Sequence, residues 1–148
     1  MARDIEITFV GLTDLFKKLD LMTESRQTKQ TITDAVGAST LDRIRKSFLD
    51  EKDPEGKAWI PSTFGLRRKE SGRGGGTLFD TGTLFHSIQF ARKTETVGEI
   101  STDVPYAAKH HFGQDGEVER PFMGVTRDDA NTASLIAAAI LERIAKKN

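Results

Sequence analysis

The chain has 148 residues, 36% hydrophobic and 30% charged, with 22 Lys and Arg balanced by 22 Asp and Glu. That is the size of one domain, expected here over 1–148, which can fold on its own apolar core. The absence of cysteine excludes disulfides, thiolate metal sites and cysteine nucleophiles. Balanced charge argues against a dedicated duplex-DNA binder. No apolar run is long enough to span a membrane, and the N-terminus lacks the apolar core of a signal peptide, so no membrane partner is expected and folding is placed in the cytoplasm.

Residues Asp4 to Val10 alternate, with Ile5, Ile7 and Phe9 on one side and Glu6 and Thr8 on the other, the pattern of a half-buried strand. Thr13 is a candidate cap for a helix to about Met22, with Leu15, Phe16 and Leu19 inward. A second helix is expected from about Ser25 to Asp50, on a stripe of Ile32, Ala35, Val36, Leu41, Ile44, Arg45 and Phe48. Gly37 and Ser39 weaken it and mark a place for a kink or break. Pro54 and Gly56 end it in a turn, and the single tryptophan, Trp59, follows.

The text from Gly65 to Gly76 is GLRRKESGRGGG, with five glycines. It reads as a mobile basic loop ordered by a partner. Arg67, Arg68, Lys69 and Arg73 are its candidate partner-binding residues, against DNA or an acidic protein surface. A short helix or turn through Leu84 and Phe85 precedes a strand from about His86 to Lys93. A turn at Thr94-Glu95-Thr96 leads to a second strand, Val97 to Thr102, as a hairpin. Pro105 to Phe112 reads as a helical turn ending at Gly113, and RPFMGV as a short extended piece. Thr126 caps a last helix to about Lys146, with Asp129 closing a capping box and Ala130, Ala133, Ile136, Ala137, Ile140 and Ile144 inward. Lys146 and Lys147 suit its negative dipole end. The fold class is α+β: a small antiparallel sheet flanked by N-terminal and C-terminal helices.

Chemical motifs are weak one by one. LFDTGTLF, Leu78 to Phe85, carries the Asp-Thr-Gly of aspartic proteases, so one reading is a dimeric protease using Asp80. The chemistry needs a pair of carboxylates sharing a proton, and a glycine-rich run stands where the entering strand belongs. The other reading is a turn, in which Asp80 or Thr81 caps a helical turn and Gly82 permits tight packing. GRGGGT lacks the Gly-Lys-Ser/Thr of a phosphate loop. His110 and His111 are adjacent and point away from each other on any regular element, so no metal site is read from them and His86. No nucleophile elbow is present. The residues by themselves name no catalytic, metal or cofactor site. A DNA-binding accessory domain using Arg67, Arg68 and Arg73 stays open as a further alternative.

The order of small motifs says more. Asp53, Pro54, Gly56 and Trp59 are followed by Leu78, Thr81, Gly82, Leu84, Ser87 and Ile88. Tyr106, Ala107, His110 and Gly113 come next, then Arg120, Pro121, Phe122 and Gly124 before the last helix. From about Phe48 to Asn148 this series resembles the phage virion morphogenesis family, which includes protein G of Mu-like phages and the tail completion protein gpS. His111 departs from the pattern, where the family often has Gln, and Val118 and Glu119 stand where Pro and Ala are common.

The resemblance implies a structural, non-enzymatic assembly protein without cofactors, similar to tail-terminator and connector components. It implies tail completion or head–tail joining through other tail or connector proteins, in a homo-oligomeric ring, a hexamer by analogy, lying in the virion close to its DNA and assembled in the host cytoplasm. On this reading Trp59, Thr81, Gly82, Tyr106, His110, Gly113, Arg120, Pro121, Phe122 and Gly124 are structural residues. Trp59 and Phe122 pack, and Gly82 and Gly124 answer backbone geometry or close packing.

Overall fold

A computed structural model describes residues 5–8, 10–18, 20–21, 24–72 and 76–148. The elements in chain order are β1 (Ile5–Thr8), α1 (Val10–Lys18), α2 (Arg26–Leu49), α3 (Thr63–Glu70), α4 (Thr83–Ser87), β2 (Gln89–Thr94), β3 (Val97–Thr102), α5 (Ala107–Phe112) and α6 (Arg127–Lys147). The fold is α+β, and the strands pair in the order β1-β3-β2. The chain falls into two compact units. The first holds Asp42–Gln89 and Ser101–Gly124 with residues 5–6, and the second holds Ile7–Leu41, Phe90–Ile100 and Val125–Asn148.

In the second unit, α1 packs against α6, and Phe16, Ile32, Val36, Ala133, Ala137 and Ile140 are buried. The α1 helix opens three residues before Thr13, which therefore lies inside it rather than capping it. The side chains of Ile5, Ile7 and Phe9, and residues Leu19 and Met22, lie outside what is described.

The α2 helix is continuous through Gly37 and Ser39. A Cβ on Gly37 would strike the ring of Phe90, so the weak helix former is there to admit an aromatic side chain. Farther up α2, Lys29 Nζ meets Glu95 Oε1 at 2.7 Å, and Thr33 Oγ1 donates to the Glu95 carbonyl at 2.8 Å. Both contacts fix the two-residue turn, Glu95-Thr96, between β2 and β3. On β3, Gly98, Ile100 and Thr102 are buried in alternation. The α6 helix starts as its sequence requires: Thr126 Oγ1 accepts from Asp129 N at 3.2 Å, and Asp129 Oδ2 accepts from Thr126 N at 2.8 Å. Ala130 is exposed rather than inward.

The first unit is built on aromatic rings. Phe48 packs edge-on to Trp59 (centroids 5.3 Å apart) and to Phe122 (5.8 Å), and meets Phe85 at 5.6 Å. Burying each such side chain stabilises the fold by about 1.5–3 kcal/mol. Ile44, Leu84, Ile88, Val104, Ala107, Ala108 and Met123 are buried with them.

Two expectations are corrected in this unit. Gly65 to Glu70 are not loop but part of α3, a helix capped by Ser62, whose Oγ accepts from Gly65 N at 3.0 Å. Farther along the run, Arg73, Gly74 and Gly75 lie outside the described residues. His86 and Ser87 belong to α4, so the strand begins at Gln89. Residues 117–126 form no regular element.

Candidate interaction site

Pro54, Trp59 and His110 of the motif series meet at Arg120–Gly124, a segment without secondary structure that is held by side chains. Its backbone groups have no ladder to join, and buried ones must find other partners. Trp59 Nε1–H donates to the Pro121 carbonyl at 2.7 Å. Arg120 is only 4% exposed, and its Nε donates to the Ile60 carbonyl at 2.7 Å. Arg43, on α2, donates to the Gly124 carbonyl at 2.5 Å. The Arg120 amide donates to the His110 carbonyl at 2.9 Å, and the Phe122 amide donates to His111 Nδ1 at 3.3 Å.

Gly124 has no room for a Cβ, which would sit 2.8 Å from Pro54 Cγ. The Asp53-Pro54 turn and RPFMG are therefore two halves of one contact. Arg43 escaped the sequence reading, and His111 was given no role beyond its departure from the family pattern, because a side chain that serves a backbone group on another element leaves no spacing pattern.

Gly113 caps α5 with φ 67°, and a Cβ there would lie 2.8 Å from Glu119 N. Tyr106 is exposed, with its ring edge-on to His110 at 5.9 Å. Burial pushes His110 below its ordinary value. Glu117 pulls the other way, while Arg120 and Lys109 add to the lowering. Burial likewise lowers His111, against the pull of Glu119. Both imidazoles are thus biased to the neutral form.

The DTG stretch is a corner. Leu78 is in the left-handed region at φ 66°, a costly place for a branched side chain. Gly82 follows at φ 84° and is itself the N-cap of α4, without a side-chain cap. Of the two expected caps, Thr81 serves the helix start from one position earlier: its Oγ1 accepts from the Thr83 amide at 3.4 Å and shares a 2.8 Å hydrogen bond with Thr83 Oγ1. The Asp80 side chain is 78% exposed and lies 3.9 Å from Arg68 Nη1.

The basic residues of α3 differ in role. Arg68 donates to the Gly76 carbonyl, and Lys69 pairs with Glu51. Glu51 also accepts from the Thr77 amide at 2.5 Å. Burial opposes ionisation of Glu51, but Lys69 and the Thr77 donors outweigh it and hold the carboxyl below its ordinary value. Gly65 is buried because a Cβ would lie 2.8 Å from Thr77 N.

Arg67 stays exposed on α3, with Leu66 exposed beside it and Phe64 70% exposed. Phe64 and Arg67 are three residues apart and share a helix face. An exposed aromatic beside a guanidinium is the residue pairing of protein–protein contacts. Sequence reasoning named the cations but missed Phe64, because it took the segment as loop.

The described residues thus place a packed corner around Arg120–Gly124 and, on α3, an exposed apolar and basic helix surface. The phage virion morphogenesis family matches residues 10–142, and the chain belongs to that family. Membership points to a structural rather than enzymatic role in phage assembly, in association with the virion. No curated protein and no solved structure matches the chain. Among the described residues, no helix is long and apolar enough to cross a membrane.

Proposed function

We propose that the protein completes the phage tail or joins the tail to the head, acting by protein–protein contact within a closed homo-oligomeric ring. Family membership over residues 10–142 carries this reading. A ring needs a heterologous interface that closes by rotation, and the exposed Phe64, Leu66 and Arg67 of α3 suit the rim of such an interface. The partners are other tail or head–tail connector proteins, with the ring hexameric by analogy and close to the packaged DNA. Assembly takes place in the host cytoplasm. The role requires neither a cofactor nor a catalytic group.

The test is complementation of a phage lacking this gene. Wild-type protein should restore plaques. Phe64→Ser combined with Arg67→Glu should fold, as judged by circular dichroism, and lower the yield of infectious particles at least tenfold. Rescue by the folded double variant at the wild-type level would remove α3 from the contact. A protein that neither binds tails or heads nor rescues the deletion would end the proposal.

A further inference from the structure

The hold of His111 on the RPFMG segment depends on its charge state. The Phe122 amide donates to His111 Nδ1 at 3.3 Å, and only a ring nitrogen without a proton can accept. The same bond fixes the tautomer, leaving the proton on Nε2. The ring is wedged edge-on between Phe112, with centroids 4.6 Å apart, and Phe122, at 5.1 Å. Phe122 is fully buried, so its amide has no ready exchange of His111 for water.

We propose that His111 is an acid-sensitive latch: neutral, it holds Arg120–Gly124 through the Phe122 amide, and protonated, it lets that segment go. A proton on Nδ1 turns the acceptor into a donor aimed at another donor. Release would spread beyond one bond, because the same five residues anchor Trp59 at the Pro121 carbonyl, Ile60 through Arg120, and Arg43 at the Gly124 carbonyl.

The charged group facing His111 is Glu119, which favours protonation, while burial disfavours it more strongly. Its neighbour His110 is faced by Glu117 (Oε2 3.9 Å from Nδ1), Arg120 and Lys109. Protonation of His110 would strengthen the contact with Glu117, so the two histidines oppose each other and only His111 releases the segment. The sign follows from linkage. The folded state binds the His111 proton less readily than the unfolded chain does. The latch is therefore closed above the ordinary histidine value of 6.5 and opens as pH falls through the lower folded value.

Hydrogen exchange and histidine nitrogen shifts, read by NMR on the whole protein, test this. At pH 7.5 the His111 proton should reside on Nε2. The protection factor of the Phe122 amide, normalised for the intrinsic pH dependence of exchange, should fall roughly fivefold to tenfold as His111 titrates, the scale of one net hydrogen bond. His111→Gln supplies a side-chain carbonyl that accepts at any pH, and should keep the amide protected through the same range. His110→Gln should keep the wild-type response. A proton on Nδ1 at pH 7.5, or wild-type Phe122 protection unchanged across the His111 titration, overturns the proposal. Both readings come from the wild-type protein, so they hold even if a variant misfolds.

Discussion

Truncating Phe122 to Ala tests whether RPFMG is a packing element. The side chain is fully buried, with rings from Phe48 at 5.8 Å and His111 at 5.1 Å. Losing the transfer energy of a buried phenyl and leaving a cavity costs about 3–5 kcal/mol. The two edge-on ring pairs bring it to the upper part of that range, since each is worth about 0.5–1.5 kcal/mol beyond area. A domain with a total stability of about 5–15 kcal/mol would be left close to unfolding. Phe122→Leu, which retains most of the volume, should cost about 1–2 kcal/mol. Urea titration by circular dichroism measures both. The midpoints should fall in the order wild type, Leu, Ala, with an unchanged slope. A loss below about 1 kcal/mol for Phe122→Ala would refute the packing argument.

Trp59→Phe keeps the ring against Phe48 but orphans the Pro121 carbonyl, costing about 1–3 kcal/mol in the same denaturant assay; an unchanged midpoint would show water replacing the indole N–H. Gly124→Ala should destabilise by about 1–3 kcal/mol through its clash with Pro54, and Gly82→Ala by about 1–2 kcal/mol through its positive φ. A neutral result at either position, in thermal melts, contradicts the geometry. The Glu51 carboxyl is held below its ordinary value of 4.5, so its contribution is full above that pH and fades as pH falls through the folded value. Glu51→Gln should flatten that acid limb of the stability profile, and an identical profile would count against the Lys69–Glu51–Thr77 linkage.

Much of the fold was legible because its signals are local. Thr126 and Asp129 announce the start of α6, and the apolar stripe of α2 marks its buried face. The α3 helix was not legible. Eight residues are too few for propensity to hold a helix, and this one depends on tertiary anchors: Ser62 on Gly65, Arg68 on the Gly76 carbonyl and Lys69 on Glu51. Its one local signal was Ser62, two residues after Ile60, and the glycines downstream masked it. Gly37 shows the converse. It looked like a weak point of α2 and is a seat for Phe90.

At the site, the motif order led to Trp59, Gly82, Arg120, Phe122 and Gly124. The partners that give them meaning, Arg43 for the Gly124 carbonyl and His111 for the Phe122 amide, are side chain–backbone contacts between residues far apart or on unlike elements. No periodicity encodes them. Asp80 is the reverse case: its three-residue match drew attention, and the structure places it at the surface beside Arg68, with the geometry of the corner carried by Leu78 and Gly82.

The most direct test of an assembly role is electron microscopy of particles made by a phage deleted for this gene, before and after adding the purified protein. The account predicts unjoined heads and unfinished tails before addition, and joined, infectious particles with a ring of this protein at the tail or the head–tail junction afterwards. Complete infectious particles from the deletion phage, in wild-type numbers and without the protein, would contradict it.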